Sequence, residues 1–481
     1  MPDVTLPPNI ETLSRSDLQL LVIELTQANT ELQAAITELR AEMENMRAEV
    51  AALKRTQQRP AAPFSTGQRV ANPKKSGRKP GEGTFRHRSA PAEETYTTPP
   101  LEVPVRPTAC PVCGGELAFE GAEVVTVTDL PAIVRPLVKA YRVQVCRCRQ
   151  CGKQVRGQHP EVAPDQFGAS AHRIGERAMA QAHMLHYGLG LPQRKVPAVL
   201  EQLTGLKLTQ GALAQDALRR AAGCVGVAYA ELRARVKDSP RVHTDDTGWR
   251  IGGESAYLQV FETEAESVYQ VRPRHRNEEV REVIPSTYPG VMETDRGKSY
   301  DAKELLGVKQ QKCVGHIQRS IKAVLEQKQG KARAFGNQLK SLLKEATQLW
   351  HDHHAGKVTN YTLQAAELKA RISAHLRDRR LVDVDNQRLL DELGLHDDRG
   401  NLLRFLDDPQ IEPTNNRAER ALRPAVIARK VSQCSKNARG AEAFAAFTSV
   451  IRTLMKKRGA SAVAEELCQL LRPARAPDIS A

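Results

Sequence analysis

Arg241-Val242-His243-Thr244-Asp245-Asp246-Thr247-Gly248-Trp249 alternates apolar and polar side chains and carries acids towards its end. A period of two is the pattern of a half-buried strand. Strand-like segments follow at Ala256 to Thr263 and Ser267 to Val271, and three consecutive strands predict a meander. After a polar, helix-compatible stretch comes Gly290-Val-Met-Glu-Thr-Asp295, a short strand whose last residue is again acidic. Carboxylates at strand ends, aimed into one cleft, suit hard cations that prefer oxygen ligands.

Far downstream, Pro413-Thr-Asn-Asn-Arg-Ala-Glu419-Arg-Ala-Leu-Arg423-Pro424 reads as the capped start of a helix, with Asn415, Glu419 and Arg423 recurring every fourth residue on one face. A third carboxylate is thereby offered to the cleft. Two divalent ions about 4 Å apart can activate the attacking oxygen and stabilise the leaving oxygen of a phosphodiester, so three shared carboxylates are a minimal cradle for in-line transfer. Asp245, Asp295 and Glu419 are the expected catalytic and metal-holding residues, with two magnesium or manganese ions per site.

The rest of the chain fits a DNA-handling protein. Its 481 residues exceed what one hydrophobic core usually serves, so several domains are expected. A formal charge of +15 favours a polyanionic partner, either nucleic acid or anionic lipid. No basic segment followed by an apolar one opens the chain and no run of eighteen apolar residues occurs, so neither secretion nor a membrane span is expected and the location is cytoplasmic. Aromatic residues make up only 4%, which argues against a single-strand binder built on stacking platforms and for backbone contacts to double-stranded DNA.

Four regions precede the acids. In 1–55, Leu18, Leu25, Leu32, Leu39, Met46 and Leu53 share one heptad position and Val22, Asn29, Ile36, Met43 and Val50 the other. This reads as a parallel two-stranded coiled coil with Asn29 fixing register, hence a homo-oligomer of at least two chains. Residues 56–105 form a basic, Pro- and Gly-rich linker in which Lys74, Lys75, Arg78, Lys79, Arg86 and Arg88 are candidates to track a phosphate backbone. In 106–160, Cys110-Pro-Val-Cys113 and Cys148-Arg-Gln-Cys151, each followed by glycine, present four thiolates to a structural zinc ion; Cys146 is a spare that could replace Cys148. Residues 161–239 read as helical. Within them Leu191 to Ala222 suggest a helix, a turn at Thr204-Gly205 and a second helix capped near Thr209, resembling a helix-turn-helix with Gln210, Gln215 and Arg219 facing a major groove.

At these residues the chain resembles the IS66 insertion-sequence transposases. The resemblance runs through Gly77-Arg-Lys-Pro-Gly81, the CxxC pairs, Asp245-Asp-Thr, Asp295, Cys313-Val-Gly-His316-Ile-Gln-Arg319, Asn415-Asn-Arg-Ala-Glu419-Arg-Ala-Leu-Arg-Pro424 and Ala428-Arg-Lys430. The block Asn-Asn-Arg-Ala-Glu-Arg is the most diagnostic. It implies a ribonuclease H-like α/β catalytic domain over 240–465, within a multidomain α+β chain that ends in a tail at 466–481. The interval between Asp295 and Glu419 is too long for a minimal core of that kind, so a helical insertion is expected over about 320–408. The resemblance also implies that Asp245 bridges two metals while Asp295 and Glu419 complete one site each. His316 and Arg319, just beyond an apparent strand at Gln311 to Val314, would line the cleft and hold the scissile phosphate. Asn416 and Arg423 are weaker candidates for orienting Glu419 or touching phosphate. The family usually has Asp-Glu-Thr where this chain has Asp245-Asp246-Thr247, which leaves the role of Asp246 open; strand alternation sends it to the opposite face from Asp245.

The activity so implied is metal-dependent cleavage at transposon ends and strand transfer into target DNA, in a bacterial, nucleoid-associated setting, with small accessory proteins encoded beside this one as further partners. Two alternatives stand beside it: a non-catalytic DNA-binding regulator derived from a transposase, and a nuclease that cuts without joining.

Overall fold

The computed structural model describes residues 14–58, 91–99, 109–120, 124–128, 134–159, 161–163, 166–168, 171–377, 380–459 and 462–472. They belong to two units, Met1–Ser89 and Ala90–Ala481.

In the first unit, Ser14 and Asp17 start a single helix, α1 (Arg15–Gln58): Ser14 N donates to Asp17 Oδ2 at 3.2 Å and Asp17 N to Ser14 Oγ at 3.3 Å, a reciprocal cap. Leu18, Val22, Leu25, Leu32, Ile36, Leu39, Met43 and Met46 all lie exposed along it. Val50 and Leu53 lie on the same helix, their side chains outside the described set. The linker residues Lys74, Lys75, Arg78, Lys79, Arg86 and Arg88 lie outside the described residues.

The second unit begins with a small antiparallel hairpin, β1 (Val145–Arg147) and β2 (Gln154–Arg156). Four helices follow: α2 (Glu176–His183), α3 (Val196–Thr204), α4 (Gln210–Ala221) and α5 (Cys224–Val236). Gly205 ends α3 in the left-handed region at φ 69°, where a side chain would be strained, and the Thr209 hydroxyl accepts from Ala212 N at 3.1 Å to start α4. The first of these two helices starts at Val196 rather than Leu191, because Pro192 opens a turn that Lys195 N closes onto its carbonyl at 2.7 Å.

Then come β3 (Arg241–Ile251), β4 (Glu254–Glu262), β5 (Ser267–Arg272), α6 (Asn277–Arg281), β6 (Val291–Thr294) and β7 (Lys309–Lys312). The sheet order is β5-β4-β3-β6-β7, with β3, β4 and β5 an antiparallel meander and β6 and β7 parallel to β3. The strand expected at Gln311 to Val314 is instead Lys309–Lys312. Cys313 N donates the last rung of its ladder to Thr294 O at 2.8 Å, and the ladder stops there because Val314 N turns to Pro413 O at 2.9 Å.

Among the remaining described residues the α-helices are α7 (Val314–Glu326), α8 (Ala334–His354), α9 (Tyr361–His375), α10 (Val384–Asp398), α11 (Arg404–Asp407), α12 (Asn416–Ser432), α13 (Ala438–Arg458) and α14 (Val463–Leu471). Helices α7 to α11 enclose an apolar core of their own, with Ile317, Leu339, Leu343, Ile372, Leu393 and Phe405 inside it. Helix α12 packs Ala418, Leu422 and Ala425 on Trp249, Leu258 and Val260 of one sheet face. The opposite face, through Val242, Phe261 and Met292, shares a core with Leu213, Val225, Phe447 and Leu467. The boundaries expected at 239/240 and 465/466 both fall inside this shared core, since α5 and α13 pack on β5 while α2, α4 and α14 pack on α5 and α13 or on one another. Strand β5, at the sheet's edge, is covered by α13: Ser267 N and Tyr269 N donate to the Thr453 and Ser449 hydroxyls at 3.0 and 2.8 Å.

Candidate active site

The parallel register of β3 and β6 pairs Arg241 with Val291, Val242 with Met292 and His243 with Glu293. Continued upwards by two residues, it sets Asp245 beside Asp295 where the two strands end their pairing. Neighbouring strands run about 4.8 Å apart, and residues two apart share a face. Asp245 therefore faces α12 together with His243, Thr247 and Trp249, whereas Thr244 and Asp246 face the other way.

Helix α12 is tied to β3 at both ends. Asn415, fully buried, donates from Nδ2 to Thr244 O at 2.7 Å and from its backbone N to Cys313 Sγ at 3.2 Å. Its side chain thus reaches across to the strand instead of capping its own helix. At the other end Arg429 donates to Thr247 Oγ1 at 3.3 Å and to Gly248 O. Glu419, one turn into this helix, is presented to the same sheet edge. Its carboxylate is met from α7: Arg319 Nη2 donates to Oε1 at 2.9 Å, and His316 Nε2 lies 3.7 Å from that oxygen. An open cavity of about 430 Å³ lies alongside, lined by Asp295, Arg296, His316, Arg319 and Ser320 among others.

The electrostatics follow from this crowding. Burial, then the neighbouring charge of Asp295, pushes Asp245 up to about 7; Asp246 and Glu419 add to the rise, and the Asp246 N–H donated to Asp245 Oδ1 at 2.9 Å partly offsets it. Burial and the Arg319 charge push His316 down, so its imidazole is neutral near pH 7. One register step below the acids, burial holds Glu293 up at about 9 and His243 down at about 3, so their 3.3 Å contact joins two neutral groups. On β7, beside Thr294, the fully buried Lys312 places Nζ 2.8 Å from Asp301 Oδ1.

The donor set fits a hard divalent cation. It consists of carboxylates alone, and burial, followed by the charge of Asp295, raises Asp245, a cost to its ionised form that a bound cation would relieve. Among the described residues, however, no three His, Cys, Asp or Glu side chains close around a common point, and Glu419 is turned onto Arg319.

The four cysteines are likewise not drawn into one cluster among the described residues, although each pair forms the same turn. Cys110 N donates to Gly115 O at 2.9 Å and Gly114 N to Cys110 O at 2.8 Å; Cys148 N donates to Lys153 O at 2.8 Å and Gly152 N to Cys148 O at 2.9 Å. Gly114 and Gly152 sit at φ 71° and 68°, which only glycine adopts cheaply. Backbone amides of Val112 and Cys113 lower the thiol of Cys110, and those of Cys151 and Gln150 lower that of Cys148.

Asn416 and Arg423 lie exposed on α12, and among the described residues neither bonds to Glu419. On α4, Gln210, Gln215 and Arg219 are exposed, Arg219 donating to Asp216 Oδ1 at 2.6 Å. Sequence reading missed Arg296, which follows Asp295 and donates to Glu392 Oε1 of α10 at 3.0 Å and to Ser320. Its position next to a strand-end acid was the available signal. The sequence sets Asn415 on one helix face with Glu419 and Arg423 but gives no sign of its bond to Thr244, and it gives none of His275, which donates to Asp246.

The acids were expected at strand ends; Asp295 does follow β6, but Asp245 lies within β3, which pairs with β4 for six residues beyond it, and only its pairing with β6 stops short of the acid. A mixed sheet of this order, with helices on both faces, is consistent with a ribonuclease H-like domain. Residues 172–443, more than half of the chain, match the model of the IS66 transposase family, and the chain belongs to that family. Membership implies DNA binding and a metal-dependent transposase activity of the DDE type. The matched segment leaves out α1, the linker and both CxxC turns. No curated protein matches the chain.

Proposed function

We propose that the chain is a DNA transposase in which Asp245, Asp295 and Glu419 form the acid triad. The observation that carries this reading is the parallel register that sets Asp245 beside Asp295, with Asn415 lashing the helix of Glu419 to Thr244. Asp245 would contact two magnesium or manganese ions, and Asp295 and Glu419 one each. Bound there, the ions supply Lewis acidity to the attacking and leaving oxygens of a phosphodiester. Arg319 and His316 hold the phosphate: the guanidinium as a forked cation, the neutral imidazole as a hydrogen-bond partner. Arg296 braces the Asp295 loop against α7 and α10. Water would hydrolyse a phosphodiester at the transposon end and free its 3′-hydroxyl, which would then attack a target phosphodiester and displace the target's own 3′-oxygen, so the number of phosphodiester bonds is conserved in the joining step and no nucleotide is consumed.

The remaining parts take supporting roles. The exposed seam of α1 pairs two chains, the CxxC turns share a zinc ion, and α4 meets duplex DNA. Small accessory proteins complete the set of partners, in a cytoplasmic, nucleoid-associated setting. No described helix is long and apolar enough to cross a membrane.

The test is in-cell movement of a marker flanked by the element's own DNA ends, comparing wild type with Asp295→Asn, with joined products sequenced. Insertion by wild type alone supports the triad. Cleavage without joining indicates the nuclease, and DNA binding without either indicates the regulator.

A further inference from the structure

Asp246, on the sheet face away from α12, has a partner of its own. His275 Nδ1 donates to Asp246 Oδ2 at 2.9 Å, and the His275 ring lies flat on Tyr257, 3.9 Å between centroids and 10° between planes. Tyr257 belongs to the same face, since Gly248 pairs with Tyr257 and Asp246 with Gln259. The loop that carries His275 reads Arg272-Pro273-Arg274-His275-Arg276-Asn277.

Both ends of that loop are fixed. Arg272 Nε donates to both Glu282 oxygens at 3.0 Å, and the Arg276 backbone N donates to Glu279 Oε2 at 2.8 Å as α6 begins. Its ion pairs among the described residues are Arg272–Glu282 and His275–Asp246, which leaves the exposed Arg274 and Arg276 side chains with none. Two unpaired guanidinium groups on a loop pinned at both ends and in the middle lose little freedom on meeting an anion.

The loop also stands at the right end of the sheet. Tyr269 pairs with Val260 and Val260 with Asp245, so Asp245 and Tyr269 are level, and β5 runs in the direction of β3. Three residues further on, roughly 10 Å along the strand, β5 gives way to Pro273. Arg274 and Arg276 thus flank the acidic edge on the side opposite α12 and Arg319.

We propose that residues 273–276 form a second DNA-contact site, in which Arg274 and Arg276 bind backbone phosphates beside the one that reacts and Asp246 is the positioning residue, acting through His275. The inference rests on the reading of this edge as the DNA-cutting site. It gives a reason for an acid at Asp246, whose bare charge would only repel a phosphate.

The test is binding of the full chain to a random-sequence duplex oligonucleotide, without divalent metal, across a salt series. Each phosphate contact contributes about 0.9 to the slope of log affinity against log salt, so Arg274→Ala with Arg276→Ala should flatten the slope by about 1.8 and weaken binding. Asp246→Ala removes a negative charge and on charge alone would tighten binding. The expected result is weaker binding with the same loss of slope, and rescue by Asp246→Asn, equally uncharged but still an acceptor for the His275 N–H. An unchanged slope in the double arginine variant, or Asp246→Ala binding as tightly as wild type, overturns the proposal while leaving the triad standing. A wild type without salt-dependent affinity overturns both.

Discussion

Arg319 and Glu419 are joined by a 2.9 Å hydrogen bond from Nη2 to Oε1, across two helices whose contacting residues lie 100 positions apart in sequence. The bond occupies a carboxylate oxygen that the proposed cation site needs. Arg319 is 63% exposed, and exposed ion pairs are worth about 0–1 kcal/mol, so little is lost when the guanidinium lets go. Arg319 can therefore neutralise Glu419 in the free protein and turn to phosphate in the loaded one.

Arg319→Ala should consequently separate two properties. Manganese affinity in the absence of DNA, measured by calorimetry, should stay equal or tighten by up to about five-fold, the equivalent of a 1 kcal/mol pair. Joining should fall by about two orders of magnitude or more, the usual cost of removing a donor to transition-state charge. Weaker manganese binding in the variant would show that Arg319 supports the metal site instead of competing with it.

Asn415→Ala should cost both stability and geometry. The side chain is fully buried, and its loss leaves the Thr244 carbonyl without its 2.7 Å donor, a penalty of about 1–3 kcal/mol. Calorimetric Tm should drop, and joining per folded molecule should drop further because Glu419 rides on the same helix. A lowered Tm with unchanged activity per folded molecule would mean that Asn415 holds the fold but not the acid.

Much of this arrangement was legible in the sequence because it is local. Alternation exposes β3, Asp295 marks the end of β6, and Gly205 and Thr209 punctuate α3 and α4, whereas β3 runs on past Asp245 because β4 pairs with it as far as Ile251. What was illegible depends on partners far away in the chain. Strand β7 ends where it does because Val314 finds its acceptor at Pro413 instead of on β6. Arg296 looks like any loop arginine until Glu392 and Ser320 are set against it. Period-two patterning puts Asp246 on the face away from Asp245, but nothing short of the folded chain brings His275 to it. The helices before β3 looked like a separate module because amphipathicity reveals that a helix buries one face, not against what.

The seam of α1 predicts self-association. Leu25, Leu32, Ile36 and Leu39 remain 42 to 62% exposed on a helix that cannot cover them itself. Removing residues 1–58 should lower the mass found by light scattering, and Asn29→Leu should raise coil stability while loosening the choice of oligomer. An unchanged mass after truncation would rule out the zipper.

The CxxC turns predict one zinc ion per chain by elemental analysis. Ligand identity is also testable, because Cys148 opens the glycine-ended turn whose amides lower its thiol, whereas Cys146 sits within β1 opposite Val155. Cys110→Ser, Cys113→Ser, Cys148→Ser and Cys151→Ser should each release zinc, whereas Cys146→Ser should retain it. Full retention in Cys148→Ser with loss in Cys146→Ser would reverse that assignment.

Asp216 gives a prediction for acid stability. It is buried, with His183 Nε2 at 2.8 Å, Arg220 Nε at 2.9 Å and Arg219 Nη2 at 2.6 Å. Burial acts to raise its pKa, but the His183 hydrogen bond and the Arg220 and Arg219 groups outweigh that and hold it well below the usual carboxylate range. A carboxyl depressed in the folded state contributes its full stabilisation above the unfolded value of about 3.9, and that contribution is lost as pH falls further. His183, pushed down mainly by burial, acts in a different window: its cost begins as pH drops below about 6.5, where the unfolded imidazole takes up a proton. Below pH 4, then, the wild-type Tm should fall more steeply than that of Asp216→Asn, which should start lower because breaking a buried ionic network costs about 3–5 kcal/mol. Parallel acid slopes in the two proteins would remove Asp216 from the account and point to other buried carboxylates.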